Sequence, residues 1–185
     1  MLNKLQKQQI LLDKILYQQA GVDWKWSSLY NAKRLKLNIL VEIGELANEL
    51  RTFKVWRKKT AIDLVKVKEE LIDCLCFFLG LTSVCQINFD GYQLAIANSE
   101  QEFNELLLEL FSATEKLHLI KKEKFYSSTN SKNVYFTSKE LATYDNWLQV
   151  FSKLIAKLEM EEAELLEVYL RKNEINQQRI KKGGH

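Results

Sequence analysis

Proline is absent from the whole chain of 185 residues, and glycine occurs only six times. Proline interrupts helices because it has no backbone N–H to donate, and glycine supports sharp reversals of the chain. A sequence without proline and with so little glycine has few positions at which a long helix must stop. Together with an apolar fraction of 46%, which is enough for a core, this predicts one all-α domain over residues 1–185.

Apolar residues recur every three or four positions along most of the chain, which is the spacing of one helix face. This pattern predicts a helical bundle of about six helices. Their approximate ranges are 2–19, 32–56, 63–85, 100–122, 138–158 and 161–181. Residues 22–30 and 126–135 break the pattern and are expected to form loops.

Net charge, hydropathy and cysteine content indicate which partners and which cellular compartment to expect for the protein. The net charge of +3 is too small to indicate nucleic-acid binding. No apolar run reaches the length of about 18 residues that is typical of a membrane span, and the first residues lack the apolar core of a signal peptide. Cys74, Cys76 and Cys85 lie in one apolar stretch without a zinc-like spacing, which predicts buried, reduced thiols. We therefore expect a cytoplasmic protein that binds neither nucleic acid nor membranes.

Two of the predicted helices carry acidic pairs in otherwise apolar surroundings. Glu42 and Glu45 interrupt an apolar stretch, and Glu70 precedes Asp73, the only charged residue in the range 71–85. An ionised carboxylate in such surroundings is unfavourable unless it is paired or holds a cation. Basic partners three or four residues away are largely absent around Glu42 and Glu45. The acids therefore indicate a functional site more strongly than a solvated charge face.

The neighbours of the first acidic pair support the same interpretation. On the second predicted helix, an apolar stripe that includes Ile39 and Ile43 lies about a quarter-turn from the acids. Leu37 and Val41 lie on the side opposite that stripe. We therefore expect the acids to border buried surface on both sides.

The spacing of three residues places each acidic pair on one helix face. If the second and third helices are adjacent, all four carboxylates face one cavity, without histidine or cysteine among them. Oxygen donors of this kind suit Mg²⁺, with Mn²⁺ as a substitute, rather than zinc. Magnesium held by carboxylates keeps positions open for water and substrate phosphates, so phosphate-ester or pyrophosphate chemistry is the leading reaction class.

The last predicted helix carries a polar face that complements the acids. Its members are Tyr169, Lys172, Asn173, Asn176 and Arg179. Cations and amides on one face suit phosphate oxygens and the polar groups of a sugar or base. A solvated helix end is an equally good interpretation of this face taken alone.

Three stretches of the sequence resemble motifs of the all-α dimeric dUTPases, relatives of the MazG-like nucleotide pyrophosphohydrolases. Residues 40–49, continued by Phe-Lys-Val-Trp at 53–56, are similar to the first acidic motif of that family. Residues 69–77 resemble its second acidic motif, and residues 172–179 resemble its C-terminal substrate motif. The three stretches occur in the order of the family and extend over most of the chain.

The resemblance implies a Mg²⁺-dependent dUTP diphosphatase, a homodimer that forms dUMP and pyrophosphate by attack of metal-activated water on the α-phosphorus. It implies that Glu42, Glu45, Glu70 and Asp73 bind the metal and that Glu45 also aligns the water. The implied substrate-binding residues are Gln9, Lys54, Trp56, Phe77, Lys172, Asn173, Asn176 and Arg179. Among these, Trp56 and Phe77 would form the base pocket, and Gln9 would bond uracil.

The chain departs from the family pattern at two places that concern the sugar and base rather than the metal. Cys76 stands where the family usually has histidine, and residues 179–184 replace the usual Arg-Gln-x-x-Gly-Tyr. A related enzyme that acts on dCTP or on several nucleotides is therefore one alternative. A non-catalytic helical interaction module is another, although retention of all four acids favours an enzyme. For the homodimer, the aromatic-containing range 147–158 is one candidate surface.

Overall fold

A computed structural model describes residues 1–19, 21, 29–56, 61–89, 92–119 and 138–181. Within these ranges the secondary structure is six helices and no strand, which confirms the predicted all-α bundle. The helices are α1 Leu2–Gln19, α2 Leu29–Leu50, α3 Leu64–Val84, α4 Phe103–Lys116, α5 Ser138–Lys157 and α6 Glu162–Lys181. The predicted loop 126–135 and most of the predicted loop 22–30 lie outside the described residues.

Helix α2 differs from its predicted range at both ends, because it begins at Leu29 and already ends at Leu50. The next residue, Arg51, has a φ of 58°, in the left-handed region that non-glycine residues rarely adopt. Its N–H donates to Ala47 O at 2.9 Å and closes the last turn. The prediction that this helix continues to Trp56 is therefore wrong, and Trp56 lies in a turn.

Helix α3 agrees with its predicted range, whereas α4 is shorter at both ends. Asp63 caps α3, since its Oδ1 accepts hydrogen bonds from the backbone N–H groups of Val65 and Lys66 at 3.1 and 3.3 Å. Helix α4 begins at a capping box, in which Glu105 accepts from the N–H of Glu102 at 2.9 Å. A cap of this kind fixes the start of α4 later than the apolar pattern indicates.

Helix α3 occupies the centre of the bundle and is buried on most of its circumference. It packs most extensively against α2, which confirms that the second and third helices are adjacent, and it also contacts α1 and α6. Leu35 of α2 lies beside Gly80 of α3, whereas Glu42 lies beside Glu70. The two helices are therefore antiparallel, with their acidic residues level with one another.

The aromatic part of the core joins α3, α4 and α5. Trp147 stacks on Phe78 with ring centroids 3.9 Å apart and on Phe151 at 5.2 Å. Its Nε1 donates to Thr114 Oγ1 at 2.9 Å. Apart from the half-buried Ala156, the apolar side chains of residues 147–158 are buried within the chain's own core. The interpretation of this range as a dimer surface is therefore wrong.

The outer face of α2 is more exposed than its sequence suggests. Leu37 and Val41 are 59% and 48% exposed, so the acids border buried surface on one side only within a single chain. The expectation of burial on both sides is wrong for the chain taken alone. Among the helices described, none combines the length and the apolar character that crossing a membrane requires.

Candidate metal centre

Three carboxylates from α2 and α3 form an acidic triad, which consists of Glu42, Glu45 and Glu70. Each contributes an oxygen that lies within 4.8 Å of the oxygens of the other two. The spacing of three residues brings both α2 acids to one face, and the antiparallel packing of α3 places Glu70 opposite them. Glu42 and Glu70 are half-buried, whereas Glu45 is exposed, so the triad opens to solvent on the Glu45 side.

Asp73 lies next to the triad but contacts a base. Its Oδ2 is 2.5 Å from Nζ of Lys172 on α6, and the two side chains are only 17% and 15% exposed. Negative charge on Asp73 still acts on both Glu42 and Glu70. The structure therefore brings the four predicted ligands into one electrostatic cluster, with Asp73 bound to Lys172 at its edge.

Burial and mutual repulsion disfavour ionisation of this cluster. Burial, followed by the charges of Asp73, Glu45 and Glu70, raises the pKa of Glu42 to about 8. The pKa of Glu70 is raised by burial and by Asp73. Burial also raises the pKa of Asp73, and the hydrogen bond from Lys172 offsets this only in part. A cation that neutralises the carboxylates would remove both unfavourable effects.

The donor set of the triad fits a hard divalent cation. Two oxygens bound to one Mg²⁺ at about 2.1 Å lie at most about 4.2 Å apart, so oxygens within 4.8 Å of one another need only small side-chain movements to share one ion. Neither histidine nor cysteine belongs to the cluster within the described part of the chain, which favours Mg²⁺ or Mn²⁺ over zinc. Three protein oxygens leave the remaining positions of an octahedral ion to water and substrate.

The residues of the predicted polar face of α6 lie in three different environments. Lys172 points at Asp73. Burial lowers the pKa of Lys172, but the hydrogen bond to Asp73 and the negative charge of Asp73 outweigh burial, so the pKa of Lys172 is raised overall. Tyr169 and Asn173 are buried instead. Asn176 is half-buried, and Arg179 is exposed about 10 Å farther along the helix than Lys172. The solvated-helix interpretation is therefore wrong for the first half of this face.

A buried polar network behind the cluster connects α1 to α6. Tyr169 OH lies 3.0 Å from both Leu5 O and Gln9 Oε1, and its single hydrogen is shared between these two acceptors. Gln9 Nε2 in turn donates to Asp13 Oδ1 at 2.8 Å. Asn173 also bonds to the Tyr169 hydroxyl, while its Oδ1 is buried without a partner. Gln9 and Asn173, both implied substrate residues, therefore belong to one connected set.

Asp13 is the member of this network that the sequence analysis did not single out. Burial raises its pKa to about 7, against the hydrogen bond from Gln9 and the charge of Arg34. Its Oδ2 is buried without a hydrogen-bond partner, close to where a Cβ on Gly80 would lie. The available signal was a lone acid on the buried stripe of α1, one turn after Gln9.

The remaining implied substrate residues follow α2 or lie on α3. Lys54 follows α2 and donates to Asn48 Oδ1 at 2.9 Å. Trp56 is 75% exposed, so it does not line an enclosed pocket within one chain. Phe77 on α3 is half-buried and packs against the core one turn beyond Asp73.

Comparison with known proteins gives one family for nearly the whole chain. The model of a family described as dUTPase matches residues 1–183. No curated protein and no solved structure gives a significant match. The matched range includes the acidic triad, Asp73 and the polar face of α6, so it confirms the resemblance carried by the three sequence motifs.

Proposed function

The chain belongs to the dUTPase family, and from this premise we propose that it hydrolyses dUTP to dUMP and pyrophosphate with Mg²⁺ as cofactor. The observation that carries the proposal is the acidic triad at the packed face of α2 and α3. Glu42, Glu45, Glu70 and Asp73 are the proposed metal ligands. A metal site, rather than a solvated acidic face, explains why Glu42 and Glu70 are half-buried although they lie close to each other and to Glu45.

Each proposed catalytic role follows from charge and exposure. When bound, Mg²⁺ would neutralise phosphate charge and lower the pKa of a water molecule. Glu45 is the most exposed member of the triad, so its carboxylate can align the attacking water and accept its proton. Lys172 lies beside the cluster and Lys54 follows α2, and both can supply positive charge to the phosphate oxygens.

We assign sugar and base recognition to residues outside the acidic cluster. Asn173 has a buried oxygen without a partner, which can accept a hydrogen bond from the nucleotide. Gln9 lies in the same network, and Phe77 offers a half-buried ring. Asn176, Arg179 and Trp56 are more accessible and would close over the nucleotide from outside.

A pyrophosphate-release assay with purified full-length protein tests the activity. With Mg²⁺ present, we expect release from dUTP to exceed release from dTTP, dCTP and the ribonucleotide UTP, and chelation of divalent ions to abolish it. Comparable release from dCTP would indicate a broader pyrophosphohydrolase. No release from any nucleoside triphosphate, with Mg²⁺ or Mn²⁺, would instead support a non-catalytic helical module.

We also propose that the protein is a cytoplasmic homodimer. Cys74, Cys76 and Cys85 are buried and free, as is usual for a reducing compartment. Leu37 and Val41 form an exposed apolar stripe on α2, and a second copy of the chain is the proposed occupant.

Leu37→Glu is expected to convert the dimer to a monomer, because it places one charge from each copy in an apolar, two-fold interface. Light scattering at micromolar concentration measures the change. Leu11→Glu is a matched control, since Leu11 on α1 is 60% exposed against 59% for Leu37. A wild-type protein that is monomeric in this measurement would contradict the dimer itself.

A further inference from the structure

Lys172 binds Asp73 beside the acidic triad. Its ammonium group contacts Asp73 Oδ2 at 2.5 Å, and the pair is mostly buried. The charge of Lys172 also acts on Glu42 and Glu70. One cation supplied by α6 therefore lies at the edge of the cluster and is directed at a single acid.

A divalent ion and Lys172 cannot share Asp73 without strong repulsion. An ion coordinated by that carboxylate would lie about 2.1 Å from one of its oxygens. With Nζ 2.5 Å from Oδ2, the two cations would be only a few ångströms apart in a partly buried site, where screening is weak. Repulsion therefore favours metal binding at Asp73 once Lys172 has left, whereas the triad can bind an ion with the pair intact.

Nucleotide phosphates provide Lys172 with another partner. A lysine ammonium is a compact charge on a flexible stem, and a triphosphate presents several anionic oxygens within a small volume. We propose that Lys172 exchanges Asp73 for the phosphates of the bound nucleotide, and that Asp73 then joins the triad in coordinating divalent metal. This rests on the proposed function and adds a coupling to it, in which nucleotide and metal strengthen each other's binding.

The ion pair between Lys68 and Glu164 provides a matched control. It joins the same two helices at 2.6 Å, and Lys68 is 17% exposed against 15% for Lys172. Glu164 is not a member of the cluster. Lys68→Met therefore removes an equivalent ion pair between α3 and α6 without freeing a proposed metal ligand.

Mn²⁺ titration of the full-length protein without nucleotide, followed by electron paramagnetic resonance, tests the exchange. Lys172→Met is expected to bind Mn²⁺ at least about 10-fold more tightly than wild type, because a positive charge beside the site is removed. Lys68→Met is expected to bind as wild type does. Lys172→Gln retains a hydrogen-bond donor and serves as the second variant if thermal melting shows that Lys172→Met is unfolded.

Repeating the titration with a non-hydrolysable dUTP analogue measures the coupling. The analogue is expected to tighten Mn²⁺ binding to wild type at least about 10-fold more than it tightens binding to the Lys172 variants. If wild type binds Mn²⁺ but the Lys172 variants bind it no more tightly, the exchange is refuted and the metal site stands. If wild type binds no Mn²⁺, the proposed metal-dependent function fails, and the exchange fails with it.

Discussion

Glu45→Gln is expected to lower kcat for dUTP by at least about 10²-fold, the low end for lost general-base catalysis. Glutamine retains the size of the side chain and one acceptor oxygen but removes the negative charge that orients water and accepts its proton. Phosphorus in a triphosphate is shielded by anionic oxygens, so an unaligned water attacks poorly. The measurement is pyrophosphate release at saturating Mg²⁺ and dUTP, which separates a catalytic loss from weaker metal binding.

Glu49→Gln is the matched control for this variant. Glu49 lies one turn farther along α2 and is half-buried, but it is not a member of the triad. Its charge acts on Glu70, so we expect a shift in the Mg²⁺ requirement rather than a large loss of kcat. Binding of a non-hydrolysable analogue should survive in the Glu45 variant, because the proposed sugar and base contacts do not include Glu45. A Glu45→Gln protein with wild-type turnover would contradict the assignment.

The positions of the acids were predictable from the sequence because two regular features fix them. A spacing of three residues sets the helix face, and long apolar helices set the packing of α2 against α3. The ion pair between Lys172 and Asp73 was not predictable, because it depends on how α6 crosses α3. The buried network around Gln9 and Tyr169 likewise joins residues that are far apart in sequence.

The errors at the helix ends have a local cause. The apolar pattern of α2 continues past Leu50, and arginine is not a residue that normally marks a left-handed helix end. Sequence periodicity shows which helix face is apolar, but it does not show at which residue the helix ends. In α2 the last turn ends with the hydrogen bond from Arg51 N–H to Ala47 O. The same limit applies to Trp147, since the sequence pattern is the same whether an apolar helix face packs into the core of its own chain or against a second copy.

Trp147→Ala is expected to reduce the free energy of unfolding by about 3–5 kcal/mol, the usual range for loss of a buried aromatic side chain. Trp147 is fully buried, lies between Phe78 and Phe151, and bonds Thr114. Its removal leaves a cavity where α3, α4 and α5 meet, and Thr114 Oγ1 loses a donor. Since a domain is stable by only about 5–15 kcal/mol, this variant should unfold at much lower denaturant concentration.

Trp147→Phe separates the contribution of the ring from that of the hydrogen bond. Phenylalanine retains stacking between Phe78 and Phe151 but lacks the indole N–H, so we expect a loss of about 1–2 kcal/mol. Urea unfolding followed by circular dichroism measures both variants at a single protein concentration, because dimerisation makes stability concentration-dependent. A Trp147→Ala protein as stable as wild type would mean that the aromatic stack does not hold α5 against the central helix. The acidic triad lies on α2 and α3 outside this stack, so Mn²⁺ binding by folded Trp147→Phe should match wild type.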